Sequence, residues 1–410
     1  MKQIITGFYQ IHVGNYDWGA AVDRVFLFCD QTIPEIDDTL FHVQERKMAG
    51  DEEKPNHDLY EVIHERKIIS IYYCDENGEK TTQPGPNLAL DLMVSPTEGS
   101  PFACSGKLQL FHWSDPYELT FSYEGNMELS IDPVCKKRIT AADMFSKKTA
   151  ITSSGIPYDY AEYIPKQATD TLFVWLHGLG EGCTEGSDVY LPILGRRGTS
   201  MASDAFQSTI GSAVVLVPQC PTYWMDAKGD ASNFGNSLIE ADGTSYYTDS
   251  LDEFIDQYAA KMQAKHIVLA GCSNGGYMCL MLAIKHPEKY AAIVPICEAV
   301  PDSAISDETI QSLVNTPLYF VYSKDDPIVV PEIHEIPTIE RLKKAGCKDL
   351  HASVSDHVYD TSGCYKDEKG NPYQYMGHLS WIYYDNNETD DGNGLSAWEW
   401  IAKRLGKHEM

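Results

Sequence analysis

One segment limits the possible folds of this chain more than any other. An apolar run at 266–270 leads into Gly-Cys-Ser-Asn-Gly at 271–275, and apolar residues then recur at helical spacing through 277–284. A strand, a tight turn with glycine on both sides of a serine, and a helix form one compact unit. The segment therefore predicts a layered strand-and-helix domain with the Ser273 side chain at the end of a buried strand.

The chain beyond residue 138 repeats this alternation of strands and helices. Helical segments such as 251–262, where Leu251, Phe254 and Ile255 share one face, lie between apolar runs without polar interruption. Strands buried on both faces of a parallel sheet have this pattern. Residues 138–410 are therefore predicted to form an α/β domain, a mostly parallel sheet flanked by helices. The apolar runs are 171–176, 213–217, 266–270, 291–296 and 318–322.

Residues 1–137 have a different pattern. Short apolar or alternating segments are separated by turn-forming sequences at 75–78 and 84–86, and no convincing amphipathic helix is found. Strands of this length and spacing predict an all-β, immunoglobulin-like sandwich domain over 1–137. The predicted strands include 25–28, 40–43, 67–73, 88–94 and 117–123.

The charge and hydropathy of the chain exclude two kinds of partner. It has 60 Asp and Glu residues against 32 Lys and Arg residues, a net charge of −28, so it should repel nucleic acid. No apolar run approaches the roughly 18 residues of a membrane helix. The N-terminus lacks the apolar core of a signal peptide, which leaves two locations open: cytoplasmic, or secreted if a signal has been removed.

The cysteines do not predict a metal site. Eleven are scattered along the chain, without a Cys-x-x-Cys pair or a set spaced as zinc ligands. Most are expected to be small buried residues. Cys183 and Cys220 remain candidates for a disulfide, because both should lie near the ends of adjacent core strands.

Ser273 is a candidate nucleophile, because glycine, serine and glycine between a strand and a helix form a nucleophile elbow. In folds with this elbow an acid and then a histidine follow the serine along the chain. The predicted strand 318–322 ends near two carboxylates, Asp325 and Asp326. Asp326 is favoured, because Asp-x-x-Val then reads from 326 to 329, and Asp325 is the alternative.

Three histidines are candidates for the base. His378 is favoured because it lies between a glycine and an apolar residue on a late loop before the final helix. His351 falls in a predicted strand, where a structural role is expected, and His357 beside Asp356 is the weaker alternative. In the predicted triad, His378 takes the proton of the serine and later gives it to the leaving alcohol, while Asp326 orients the imidazole.

The oxyanion hole needs two backbone N–H donors. Asn274, after the nucleophile, should supply one, and Leu179 the other, because His-Gly-Leu-Gly at 177–180 directly follows a predicted strand. His177 is expected to order this loop. Three further residues are candidates for substrate binding: Glu181 at the pocket rim, Trp224 as an aromatic wall or a core residue, and Trp381 as a contact or as support for the His378 loop.

Several of these motifs resemble those of a known group of enzymes. Segments 217–224, 271–278 and 377–383 are similar to bacterial esterases related to feruloyl esterases, polyhydroxyalkanoate depolymerases and prolyl-oligopeptidase-like hydrolases. Segments 15–22 and 41–45 resemble the immunoglobulin-like N-terminal domain that some such esterases carry. The resemblance implies the α/β-hydrolase fold and hydrolysis of aryl, feruloyl or short-chain acyl esters, including esters on plant polysaccharide, with no metal or cofactor.

Two alternatives remain open. A prolyl-oligopeptidase-like peptidase would use the same triad, although the N-terminal part lacks the blade repeats of roughly 40 residues that a propeller needs. The N-terminal domain would alternatively bind polysaccharide through exposed aromatic rings. Core packing or docking is the competing explanation for these rings, and the sequence leaves the acyl group, the alcohol and the oligomeric state open. The aromatic residues concerned are Tyr16, Trp18, Trp113 and Tyr123.

Overall fold

A computed structural model describes residues 2–34, 36–182, 187–234, 239 and 241–407. The chain divides into two compact units, Met1–Asp143 with Leu194–Arg197, and Met144–Ile193 with Gly198–Met410. Cys183 lies outside the described residues, so its pairing with Cys220 stays a prediction. None of the helices in the described ranges has the length and apolar character needed to cross a membrane.

The first unit is an all-β structure with short 3₁₀ turns, as far as its described residues go. Its strands are β1 Gln3–Tyr16, β2 Gly19–Cys29, β3 Phe41–Gly50, β4 Leu59–Arg66, β5 Ile68–Tyr73, β6 Asn87–Leu92, β7 Phe102–Ser105, β8 Leu110–Trp113, β9 Tyr117–Tyr123, β10 Met127–Ile131 and β11 Arg138–Thr140. One sheet has the order β10-β1-β2-β6-β5, with β11 also beside β1, and a second has the order β4-β3-β9. β7 and β8 form a separate pair.

The alternating segment predicted at 117–123 is a strand with one buried face. β9 occupies the predicted 117–123, and Tyr117, Leu119 and Phe121 on its inner face are buried. β4 was not predicted, because only Arg66 of its eight residues is buried and its apolar side chains do not follow a simple alternation. The edge position of β4 explains this exposure, since an edge strand has a neighbour on one side only.

The aromatic residues of the polysaccharide hypothesis contact other side chains in this unit. Tyr16 and Trp18 stack on each other, with ring centroids 5.0 Å apart. The Arg138 guanidinium lies 4.7 Å from the centre of the Trp113 ring, and Tyr123 is buried. These contacts are typical of packing within a domain.

The second unit is built on an eight-stranded sheet with the order β12-β13-β15-β14-β16-β17-β18-β19. β13 pairs antiparallel with both β12 and β15, and the remaining neighbours are parallel. The strands of this sheet are β12 Ser146–Ile151, β13 Pro157–Tyr163, β14 Thr171–Leu176, β15 Val214–Gln219, β16 His266–Cys272, β17 Ala292–Ile296, β18 Leu318–Ser323 and β19 Leu350–Ser355. β20 Val358–Tyr359 and β21 Gln374–Tyr375 form a separate short pair.

Helices lie between these strands. They are α1 Leu191–Leu194, α2 Asp204–Thr209, α3 Thr248–Met262, α4 Asn274–Lys285, α5 Asp307–Ser312, α6 Glu335–Ala345, α7 Trp381–Asp385 and α8 Ala397–Arg404, with 3₁₀ turns at Leu179–Glu181, Gly198–Ala202, Asp302–Ala304 and Gly377–Leu379. Every residue of β14, β15, β17 and β18 is buried, which explains why these strands are continuous apolar runs. The parallel strands end at one edge of the sheet, where the candidate residues follow them.

Candidate active site

The turn between β16 and α4 holds Ser273 in an uncommon backbone conformation. Its φ of 54° and ψ of −118° lie in a region that side-chain-bearing residues rarely adopt. The Ser273 N–H donates to the carbonyl oxygen of Ile296 at 2.8 Å, and the Cys297 sulfur lies 3.2 Å from the same nitrogen. The end of β17 therefore holds the strained turn in place.

The two glycines of this turn are required by close backbone contacts. A Cβ atom on Gly271 would lie 2.7 Å from the carbonyl oxygen of Gly275. A Cβ atom on Gly275 would lie 2.5 Å from the carbonyl carbon of Leu176 and 2.8 Å from the carbonyl oxygen of His177. The end of β14 and the loop after it are thus packed directly against the serine turn.

The structure brings Ser273, His378 and Asp326 together in one chain of hydrogen bonds. The Ser273 Oγ lies 3.0 Å from His378 Nε2, and His378 Nδ1 lies 2.8 Å from Asp326 Oδ2. The other Asp326 oxygen accepts N–H bonds from Ile328 at 2.8 Å and Val329 at 2.9 Å. Because a carboxylate only accepts, His378 carries its hydrogen on Nδ1, and Nε2 is free to accept the serine proton.

The alternative acid and the alternative bases have other partners. Asp325 Oδ2 lies 2.7 Å from His357 Nδ1, and Asp325 Oδ1 accepts a hydrogen bond from the Ser323 hydroxyl at 2.6 Å. His351, in β19, bonds Asp391 at 2.8 Å and Asp349 at 3.2 Å. Neither His351 nor His357 bonds the Asp326 carboxylate, which is bonded to His378.

His177 orders the loop that follows β14. Its Nε2 accepts the N–H of Cys220 at 2.9 Å, so Nδ1 carries the hydrogen and donates to the Gly178 carbonyl at 2.6 Å. Burial lowers the pKa of His177 to about 4, so the ring is neutral at physiological pH. With both ring nitrogens occupied, His177 fixes the loop and has no free nitrogen to act as a base.

The two predicted oxyanion donors begin helical turns on neighbouring segments. Leu179 is the first residue of its 3₁₀ turn, and Asn274 is the first residue of α4. The first N–H groups of a helix have no acceptor within the helix, so they are available to a ligand. The close approach of Gly275 to Leu176 and His177 brings the two segments together, which suits stabilisation of a negative charge beside Ser273.

The three candidate substrate-binding residues lie near this loop or near His378. Trp224 is fully buried, with its ring centre 5.2 Å from that of His177, so aromatic core packing accounts for its position. The Trp381 ring is 5.5 Å from the His378 ring and nearly perpendicular to it. Glu181 is largely buried, and one of its carboxylate oxygens lies 4.0 Å from His177 Nδ1.

Sequence reasoning did not find the second role of Asn274. Its buried side-chain oxygen accepts the N–H of Met225 at 2.8 Å. This bond ties the segment after β15 to the residue that follows Ser273. A single asparagine inside the turn motif carries no sequence signal for such a long-range contact.

Two buried glutamates near the site were also missed. Glu298 and Glu335 are fully buried, and burial is the largest cause that raises the pKa of each well above its ordinary value. The charge of Glu335 raises the pKa of Glu298 further, and the charge of Asp326 does the same for Glu335. The available signal was Glu298 itself, an acidic residue within the apolar stretch that continues from β17.

The same region contains a group of side chains able to bind a metal. Donor atoms of Cys297, Asp326 and His378 lie within 4.8 Å of one another. Both ring nitrogens of His378 are already engaged, one with Asp326 and one with Ser273. The arrangement therefore suits proton transfer better than metal coordination.

A protein-family model and one solved structure agree with this architecture. Residues 163–363 match the model of the phospholipase/carboxylesterase family. A thermostable esterase structure is 19% identical, with a TM-score of 0.68 over 93% of this chain and 96% of that one. A ferulic acid esterase is 14% identical, with a TM-score of 0.39 over 52% of this chain and 90% of its own. A carboxyl esterase from Bacillus coagulans is 12% identical, with a TM-score of 0.36 over 52% of this chain and 89% of its own.

The comparison with curated proteins gives no match. The likeness to the thermostable esterase shows a shared fold, and the matched family model describes ester hydrolases. The second unit therefore has the α/β-hydrolase fold predicted from the sequence. The matched segment includes Ser273 and Asp326, and His378 lies beyond its end.

Proposed function

We propose that this protein is a serine carboxylic-ester hydrolase in which Ser273 is the nucleophile, His378 the base and Asp326 the acid. The observation that carries the proposal is the continuous chain of bonds from Ser273 Oγ to His378 at 3.0 Å and from His378 to Asp326 at 2.8 Å. The match of residues 163–363 to an ester-hydrolase family supports the same chemistry.

The first half of the proposed reaction transfers the acyl group to the enzyme. Ser273 Oγ attacks the ester carbonyl carbon while its proton moves to His378 Nε2. The carbonyl oxygen becomes an oxyanion, which the N–H groups of Leu179 and Asn274 stabilise. The C–O bond to the alcohol then breaks, and His378 gives its proton to the departing oxygen, which leaves an acyl-enzyme.

The second half releases the acid. A water molecule gives a proton to His378 Nε2 and attacks the acyl carbon, and a second oxyanion forms at the same two N–H groups. The bond to Ser273 Oγ breaks, and the proton returns from His378 to the serine. The Asp326 carboxylate holds the ring and stabilises its charged form in both halves.

The substrates proposed are aryl, feruloyl or short-chain acyl esters, on small molecules or on plant polysaccharide. This part of the proposal rests on the resemblance of the sequence motifs to esterases related to feruloyl esterases. We also propose that the first unit is an immunoglobulin-like sandwich with its boundary near residue 137. The two main sheets of that unit support this view. We prefer a structural role for the unit to polysaccharide binding, because the aromatic rings that were candidates for sugar binding contact neighbouring side chains.

The test of the mechanism is the Ser273→Ala variant. It should lose hydrolysis of p-nitrophenyl acetate and labelling by a fluorophosphonate, which adds a covalent mass to an activated serine, while its thermal unfolding stays unchanged. Ser208→Ala, at an exposed serine on α2, is the matched control and should keep full activity. Undiminished hydrolysis by Ser273→Ala would overturn the proposal.

The test of the substrate class is a panel of chromogenic esters of increasing acyl length together with methyl ferulate. Turnover should be highest for aryl or short acyl groups and should decrease as the acyl chain lengthens. A matched ester and anilide of the same acyl group separate an esterase from a peptidase, because a peptidase should cleave both at useful rates. Efficient cleavage of the anilide would favour the peptidase alternative.

A further inference from the structure

Asp325 and His357, the two alternatives to the predicted acid and base, form a second acid–base pair beside the proposed triad. Asp325 Oδ2 lies 2.7 Å from His357 Nδ1. We propose that this pair is a positioning device for His378, which places the backbone that carries the base and favours its charged form during the reaction. The inference deepens the proposed function and rests on it.

Asp325 contacts the residue before His378. A Cβ atom on Gly377 would lie 2.7 Å from the carbonyl carbon and 2.8 Å from the carbonyl oxygen of Asp325, and closer still to Asp325 Oδ1. The Gly377 backbone is therefore packed directly on Asp325, with no room for a side chain. The place of the His378 ring depends on where Asp325 is held.

A set of hydrogen bonds holds Asp325 in place. Ser323 at the end of β18 donates to one carboxylate oxygen at 2.6 Å, and His357 bonds the other. The Tyr383 hydroxyl in α7 donates to the His357 carbonyl at 3.1 Å and accepts the N–H of Tyr359 at 3.0 Å. Because Gly377 precedes His378 and Tyr383 follows it, the pair contacts the chain on both sides of the base.

The charge of Asp325 also affects His378. Burial opposes ionisation, but the hydrogen bonds from Ser323 and His357 outweigh it, and the pKa of Asp325 is lowered. Ionised and packed against Gly377, the residue before His378, this carboxylate favours the imidazolium that His378 becomes during attack, since an opposite charge stabilises a cation. The other titratable or charged groups are His357, Asp356, Lys324 and Tyr383 around Asp325, and Cys297, His334 and Glu335 around Asp326, with Glu298 beside Glu335.

A merely structural role makes a different prediction. The side chains of Asp325 and His357 are 31% and 46% exposed, and ion pairs at such exposed sites contribute little to stability. If the pair only contributed to stability, removing it would lower the melting temperature slightly and leave the pH dependence of catalysis unchanged. A positioning pair changes kcat and the acid limb of the pH profile.

The experiment compares wild type, Asp325→Asn and His357→Gln in steady-state hydrolysis of p-nitrophenyl acetate from pH 5 to 9. Asp325→Asn should lower kcat roughly ten- to hundredfold with little change in KM, because small displacements of a base are costly. The acid limb of its kcat/KM profile should move to lower pH by roughly half a unit. His357→Gln, which leaves the Asp325 charge in place and keeps a donor for it, should lower kcat by a smaller factor and leave the acid limb unchanged.

Asp356→Asn is the matched control, because it removes an exposed carboxylate next to His357 that pairs with Lys324 at 2.7 Å. It should leave kcat and the acid limb unchanged. A wild-type profile for Asp325→Asn, or an equal shift in the control, would overturn the positioning role and leave Ser273 as the nucleophile. If Asp325→Asn does not fold, His357→Gln decides by kcat, and a wild-type kcat in that variant would overturn the positioning role. Activity in Ser273→Ala would instead overturn the proposed function and this inference with it.

Discussion

Replacing Asp326 with asparagine tests the proposed triad at the group that sets the protonation of His378. One carboxylate oxygen accepts two backbone N–H bonds, from Ile328 and Val329, and the other bonds His378 Nδ1 at 2.8 Å. In asparagine only the carbonyl oxygen accepts. The two N–H groups therefore retain that oxygen, and the amide NH₂ faces His378. Because NH₂ only donates, Nδ1 becomes an acceptor, Nε2 carries the hydrogen, and the ring can no longer take the serine proton.

The magnitude follows from this wrong tautomer. An aspartate-to-asparagine change that leaves the geometry intact lowers kcat about 10⁴-fold in a serine protease triad. At about 1.4 kcal/mol for each factor of ten, the loss corresponds to about 5.5 kcal/mol of transition-state stabilisation. If the amide turned the other way, catalysis would be partly preserved, but the N–H groups of Ile328 and Val329 would lose their acceptor, which costs about 1–3 kcal/mol for the buried Val329 group. Activity and stability together therefore report the orientation.

The assay is kcat for p-nitrophenyl acetate, measured beside urea unfolding of the same variant. We expect a loss of about 10⁴-fold in kcat with nearly unchanged free energy of unfolding. Asp325→Asn is the neighbouring control, whose loss should be at most roughly a hundredfold. A loss below tenfold in Asp326→Asn, with wild-type stability, would refute the assigned role of Asp326.

Three further predictions concern stability. Gly275→Ala should lower the melting temperature and activity severely, because its Cβ would meet the Leu176 backbone at 2.5 Å; wild-type melting would contradict this. Glu335→Gln should match wild type near pH 4 and exceed its stability at pH 8. Burial, and next the charge of Asp326, raise the pKa of Glu335 above its ordinary 4.5, so folding favours the protonated form. Wild-type stability therefore decreases as pH rises above 4.5, by up to about 1.4 kcal/mol per pH unit. A difference in urea unfolding between Glu335→Gln and wild type that does not change with pH would contradict this. Ser396→Ala removes the capping box with Glu399 at the start of α8 and should cost about 1 kcal/mol in urea unfolding, whereas the exposed Ser208→Ala should cost little.

The features that could be predicted from the sequence are those with local physical causes. The serine turn needs glycine at 271 and 275 because atoms only a few residues away, and the end of one neighbouring strand, leave no room for a Cβ. The buried strands could be recognised because a strand covered on both faces must be apolar throughout, and β14 spans the predicted 171–176. Strands such as β4, exposed at a sheet edge, carry no such requirement and were missed.

Which partner each candidate side chain bonds depended on the tertiary structure. Asp325 and Asp326 both follow β18, and only the packing of the loops shows that one carboxylate bonds His357 and the other bonds His378, 52 residues further along the chain. The burial of Glu335 was equally unpredictable, because it depends on what covers the side chain, and the choice between a pocket wall and the core for Trp224 was open for the same reason. The sequence by itself determined the serine turn and the sheet that carries it, since their constraints act over a few residues. The partners of each side chain were decided by contacts between segments far apart in the chain, which only the folded structure brings together.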